Sequence, residues 1–178
     1  MKEQAEQRAG LSGVDWSRWS VVLLKPDCLR RGLTEQVLAR LEPAARIVHQ
    51  RRVIVEDWQI FVHYWDLLVT RDRFDVDVPG CLRSTYVGQP VMVALAHGEP
   101  GTPGRLRDLL GHFDPQQADP GTIRADLGTD SLTAARAQQR LVENLIHTSD
   151  DPRAARRDFG TWFGTGQHQL LNTEEDHR

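Results

Sequence analysis

Four apolar residues in a row, Val21-Val22-Leu23-Leu24, follow Ser20 and stop at Lys25-Pro26. An unbroken run closed by a proline predicts a strand over residues 20–24 that is buried on both faces. Behind Thr34, the residues Val37, Leu38 and Leu41 recur at helical spacing, which predicts a helix capped by Thr34 and ended near Pro43. Residues 47–55 are β-branched and partly alternating, a second strand. Residues 58–69 carry large apolar groups at helical spacing, and residues 91–96 form another continuous apolar run, a buried strand. Gly and Pro dominate residues 99–104, so the pattern predicts a loop there, then a short helix over 105–110. Residues 112–128 show little periodicity and read as a structured loop. Leu132, Ala135, Leu141 and Leu145 fall on one side of a helix over 132–145. His147 follows on a late strand, and Pro152 suits the first turn of a last helix through about Phe163. Trp16 and Trp19 mark where packing starts. Residues 1–15 are charged and poor in large apolar groups, so they predict a disordered or loosely helical arm, and the polar residues 164–178 predict a tail.

Strands and helices thus interleave as β-α-β-α-β with one late strand, an α+β or α/β order without an internal repeat. The length of 178 residues fits a single domain able to bury its core without disulfides or a structural metal. A net charge of -3 gives no reason to expect nucleic acid or an anionic membrane as partner, so an anionic ligand would need a local basic patch. The two cysteines, Cys28 and Cys81, have no metal-ligand spacing and read as free thiols in a reducing cytoplasm. No run approaches the ~18 apolar residues of a membrane helix, and the polar N-terminus lacks a signal core, so no membrane span or export is expected.

The common phosphate-binding loop G-x-x-x-x-G-K-[ST] is missing, as are G-x-G-x-x-G, H-E-x-x-H and C-x-x-C. What remains is one histidine, His147, at the end of an apolar run, one lysine, Lys25, directly after a buried strand, and arginines beside Gly/Pro loops. Phosphoryl transfer requires a positioned nucleophile and cations that neutralise phosphate oxygens. A neutral imidazole is nucleophilic near pH 7 because its ordinary pKa is about 6.5. His147 with Lys25, Arg107 and Arg124 is a self-consistent set for that chemistry. His63, His97 and His112 are read as structural or surface groups.

Three co-linear segments resemble signatures of the nucleoside diphosphate kinase family. They are Lys25-Pro26-Asp27 with Arg31-Gly32, Pro120-Gly121-Thr122-Ile123-Arg124, and Asn144 through Asp150, which holds His147-Thr148-Ser149. The resemblance runs from about Ser20 to Phe163. It implies a ferredoxin-like α+β fold, a four-stranded antiparallel sheet covered by helices. It implies a two-step reaction in which ATP donates its γ-phosphoryl to His147 and a nucleoside diphosphate then takes it, with Mg2+ carried by the nucleotide phosphates rather than by protein ligands. It also implies nucleotide contacts from Lys25, Tyr64, Phe74, Arg107, Phe113, Arg124, Leu141 and Asn144, with Ser149 close to the histidine. Asp158, eleven residues past His147, stands where the family has a glutamate that bonds the histidine ring. A homo-oligomer, at least a dimer, is implied in the same way.

The departures fall on nucleotide grip rather than on phosphoryl transfer. Phe113 replaces a threonine near the phosphates, Asp158 is one methylene short, and Thr148 replaces a glycine. Arg124 and Asn144 are twenty residues apart where the family has about ten, which places an insertion near residues 129–139. Those changes keep other readings open: a specialised acceptor, hydrolysis, or a nucleotide-binding regulatory module with little catalysis.

Overall fold

The computed structural model describes residue 11 and residues 13–172. Most of the expected N-terminal arm and the last six residues of the expected tail therefore lie outside the described residues. Four strands, β1 (Trp19–Leu24), β2 (Arg46–Ile54), β3 (Pro90–His97) and β4 (Ile146–Thr148), form one sheet in the order β2-β3-β1-β4. Every neighbouring pair is antiparallel, which gives the ferredoxin-like α+β arrangement. In chain order the helices are α1 (Pro26–Arg30), α2 (Thr34–Ala39), α3 (Asp57–His63), α4 (Trp65–Val69), α5 (Val78–Tyr86), α6 (Thr102–Leu110), α7 (Ile123–Leu127), α8 (Leu132–Ala137) and α9 (Pro152–Trp162).

The uninterrupted apolar run of β1 has a direct cause. Its alternate residues enter two different cores. Val21 and Leu23 pack with Val93, Leu95, Phe159 and Trp162 on one face, together with Ile60 of α3 and Leu82 of α5. Val22 and Leu24 pack with Ala94, Val37, Leu106 and Ile123 on the other. All six residues of β1 are buried. Leu23 pairs with His147 across the β1–β4 ladder, so His147 faces the first core, beside α3 and α9.

Several expected elements take a different form. Thr34 is the first helical residue of α2 and not its cap; Leu33 is the N-cap and supplies no side-chain bond. The helix expected over 58–69 is broken at Tyr64 into α3 and α4. Helix α6 starts at Thr102, because Pro103 suits a first helical turn and the loop before it is shorter than its composition suggests. Within the expected structured loop, Thr122 caps α7. The helix expected over 132–145 stops at Ala137, and Gln139 takes a positive φ of 52°. The expected tail is not all loose: Thr165–Leu171 forms a 3-10 helix that buries Leu171 in the first core. Helix α5 has no counterpart in the sequence reading. Its signals were Asp77, which caps Gly80, Pro79 in the first turn, and buried Val78, Leu82 and Tyr86 four residues apart. None of the helices among the described residues is long and apolar enough to cross a membrane.

Candidate active site

The segment before His147 is held in a strained shape by the turn after β1. Leu145 is fully buried with φ at 70°, a left-handed conformation that a leucine rarely adopts. Both of its backbone groups are tied to the Lys25–Asp27 turn. The Leu145 N–H donates to the Asp27 carboxylate at 3.0 Å, and the Lys25 N–H donates to the Leu145 carbonyl at 2.8 Å. The Lys25 ammonium donates to Asn144 Oδ1 at 2.6 Å, and Asn144 Nδ2 donates to the Phe113 carbonyl at 2.6 Å. The first signature therefore does structural work on the last one, besides offering a cation.

His147 has ring contacts on two sides, with His63 at 4.6 Å and Tyr64 at 5.5 Å between centroids. Burial, then His63, Lys25, Arg107 and Arg124, hold its pKa well below the ordinary 6.5. The ring is therefore neutral at pH 7 with a lone pair free for attack. Behind it, Asp158 is fully buried and does not bond His147. Its oxygens accept from Ser149 Oγ at 2.9 Å and Arg157 Nε at 3.2 Å, and His63 Nδ1 lies 3.3 Å away. The shorter side chain reaches His63, so the expected direct bond from Asp158 to the His147 ring is replaced by contact through His63. Burial would raise the Asp158 pKa, but His63, Arg157 and Ser149 outweigh it and keep the carboxyl ionised. The indole of Trp162 packs edge-on against the His63 ring, with its nitrogen 3.1 Å from Nδ1, which fixes that ring in turn. Ser149 bridges the network to β1 by accepting from the Val21 N–H at 3.1 Å.

Three cations converge on His147. Lys25 is pushed down to about 7 by burial and by Arg124, with Arg107 adding to the shift. Arg124 is lowered to about 10 by burial and Arg107. Its guanidinium is anchored on the carbonyls of Ile146 at 2.7 Å and Gly111 at 3.1 Å, while its buried Nε has no hydrogen-bond partner among the described residues. Arg107 pairs with Asp150 at 3.1 Å and stays half exposed. Such crowding of like charge is unfavourable without an anion, and it is the arrangement that a polyphosphate would relieve.

These groups open into one cleft of about 400 Å³. Every expected nucleotide contact lines it: Lys25, Tyr64, Phe74, Arg107, Phe113, Arg124, Leu141 and Asn144. Phe113 and Phe74 are 48% and 42% exposed. Ser149 and Asp158 stand behind the histidine and do not line the cleft. Sequence reasoning missed His63, Asp27, Tyr86 and Arg136. Asp27 was legible as part of Lys25-Pro26-Asp27. Tyr86, whose hydroxyl lies 2.9 Å from that of Tyr64, required helix α5 to be seen first. Among the described residues, His63, His147 and Asp158 form a group of metal-ligand type within 4.8 Å of one another, but the Asp158 oxygens are already engaged with Ser149, Arg157 and His63. A larger groove of about 690 Å³ between α2 and β2 is lined by Glu35, Leu38, Glu42 and His49 and contains no comparable set of groups.

Known proteins match this arrangement. Residues 19–168 match the family model described as Nucleoside diphosphate kinase. A nucleoside diphosphate kinase of Nocardia farcinica is 34% identical over 146 residues, covering 81% of this chain and 93% of its own. One from Deinococcus radiodurans is 33% identical over 146 residues, covering 82% and 94%. Among solved structures, the nucleoside-diphosphate kinase of Borrelia burgdorferi, a transition state mimic with bound vanadate and ADP, superposes with a TM-score of 0.74 at 28% identity. It covers 82% of this chain and 86% of that one. An NDP kinase from Pyrobaculum aerophilum gives 0.71 at 27% identity, covering 82% and 95%. With its sheet order, its histidine-centred cleft and these matches, the chain belongs to the nucleoside diphosphate kinase family.

Proposed function

We propose that this enzyme passes the γ-phosphoryl group of ATP to a nucleoside diphosphate through a phosphohistidine at His147. The observation that carries the reading is a neutral histidine facing a nucleotide-sized cleft with Lys25, Arg107 and Arg124 around it. A ring nitrogen lone pair of His147 attacks the γ-phosphorus, the bond to the bridging oxygen breaks, and ADP leaves with that electron pair. A terminal oxygen of the incoming diphosphate then attacks the phosphorus, and the N–P bond breaks to return neutral imidazole. Lys25 and Arg124 face the oxygens on which charge gathers, in a site already ordered by backbone bonds. Asp158, Ser149 and His63 act behind the ring to keep it in place.

Magnesium would ride on the nucleotide phosphates and spread their charge. The cleft suits an ion held that way. Of the four carboxylates that line it, Asp27, Glu143 and Asp150 are bonded to protein partners, namely Leu145, Arg30 and Arg107, and Asp75 is exposed beside Phe74. The free cysteines Cys28 and Cys81 suit a reducing cytoplasm. A homo-oligomer, at least a dimer, is supported by the long edge strand β2 and by apolar Ile54, Trp58, Trp65 and Val69, all more than half exposed. Light scattering on the purified chain tests that assembly, and a monomer at micromolar concentration would remove it.

The kinase reading is tested by intact mass at neutral or alkaline pH after brief incubation with ATP and Mg2+. A gain of one phosphoryl group is expected, absent in His147→Ala and discharged by nucleoside diphosphates. Unchanged phosphorylation in His147→Ala would end the proposal.

A further inference from the structure

The inserted segment gives the cleft a wall with a fixed base and one free cation. Asp130 is its hub: the carboxylate accepts two bonds from the Arg140 guanidinium, one at 2.9 Å, and one from the Glu143 N–H at 2.8 Å. Cys81 Sγ contacts the Gln139 carbonyl at 3.4 Å, which seats the segment against α5. Leu132, Arg136, Arg140 and Leu141 all line the cleft from this wall. Arg140 is locked by Asp130. Arg136 is exposed, and its guanidinium has no hydrogen bond or ion pair among the described residues.

The position of Arg136 follows from the helix that carries it. It lies four residues after Leu132 on α8, so the two share a face, and both reach the cleft. Leu132 and Leu141, with Leu67, Phe74 and Val76, supply the apolar part of the cleft, and none of them is among the groups that act on His147. A nucleotide with its phosphates at His147 must direct its flat, weakly polar base toward that apolar part. A guanidinium there offers only donors, in a planar fork. The base whose edge offers two acceptors side by side is guanine, through O6 and N7; adenine and cytosine each present an amino donor on that edge.

Resting on the nucleotide cleft assigned above, we propose that Arg136 is a specificity-determining residue that selects guanine nucleoside diphosphates over those of cytosine and adenine. Arg136 thereby gives the insertion a role in acceptor choice, and the Asp130 hub acts as its rigid mount.

Equilibrium binding tests this without any need for phosphoryl transfer. Isothermal titration of the full chain with GDP, ADP and CDP, in the presence of Mg2+, gives three dissociation constants. GDP is expected to bind about tenfold tighter than CDP, in the lower part of the range for a bidentate arginine–guanine pair because Arg136 is exposed. In Arg136→Met, which keeps the apolar stem, that ratio should fall to about twofold or less. Equal affinities in the wild type, or a guanine preference that survives the substitution, would overturn the proposal. A guanine preference in a chain that forms no phosphohistidine would sink the kinase reading and leave this one standing. Failure to bind any diphosphate would sink both.

Discussion

The two ends of the cleft are built by different means. At the phosphate end, His147 lies on β4 and Lys25 directly after β1, while Arg124, on the short helix α7, is tied to the backbone carbonyls of Ile146 and Gly111, and the Lys25 N–H to that of Leu145. At the base end, Phe74 and Arg136 come from loops and a short helix, and both are exposed. Groups held by backbone bonds beside the sheet are more rigidly placed than side chains carried on loops and exposed helix faces. On the roles proposed above, chemistry and selectivity belong to different parts of the cleft, and substitutions at the two ends should fail in different ways.

The largest contrast is expected from Lys25→Met. It removes a cation beside the developing phosphate charge and should lower phosphoryl transfer by about 10²–10³-fold. Rapid-quench measurement of phosphoenzyme formation checks it, and a loss under tenfold would place Lys25 outside the reacting geometry. The same residue sets a pH dependence. Its pKa of about 7 in the folded chain lies below the ordinary 10.5, so between those values the unfolded chain holds a proton that the folded chain has lost. Stability of the ligand-free protein should therefore rise with pH across that window and be lowest below pH 7. A bound polyphosphate pulls the pKa back up, so ADP binding at pH 8 should take up close to one proton. Calorimetry in two buffers of different ionisation enthalpy reads that uptake, and Lys25→Met should abolish it. His147 is held neutral in the ligand-free chain by burial and the surrounding cations, so a parallel measurement on His147→Ala separates any share it has in the uptake.

Asp27→Ala should have an intermediate effect and a mixed character. It strips the partner from the buried Leu145 N–H and releases a left-handed leucine that this bond helps to hold. The cost is about 1–3 kcal/mol, or roughly 2–4 °C in Tm for each kcal/mol in a chain of this size. Because the released segment carries Asn144 and His147, transfer should fall with stability. Differential scanning calorimetry beside the transfer assay checks the pair. A drop in Tm with full transfer would mean that the sheet alone positions His147.

The same division explains what the sequence made legible. β1 could be read because both its faces are buried and its apolar run has no break. Lys25, Arg124, Asn144 and His147 could be read because each sits in a local motif whose spacing survives. Asp158 was found through the family resemblance, but its partner was not. One missing methylene redirects its carboxylate to His63, a histidine that the pattern of α3 made look structural. The break at Tyr64 and the early end of α8 were hidden for a related reason: both depend on tertiary contacts around the cleft, and local periodicity continues straight through them. Arg136 carried no motif at all, and only the wall built on Asp130 gives it a place.

The smallest expected effect is at Phe113, where the two ends meet. Its carbonyl holds Asn144, while its ring lies tilted against His112 at 4.5 Å and is 48% exposed in the cleft. Phe113→Thr keeps the carbonyl and removes only the ring, so Asn144 should stay in place and Tm should barely move. If the ring merely narrows the cleft, KM for ordinary diphosphates should fall by about fivefold, equivalent to roughly 1 kcal/mol, with kcat little changed. A rise in KM of similar size would mean that the ring stacks on the nucleotide and belongs with Phe74. Because the GDP-to-CDP ratio is assigned to Arg136, it should remain the same in either case. A change in that ratio would show that the two ends of the cleft are coupled through the Phe113–Asn144 bond, and that the separation drawn from their construction does not hold in solution.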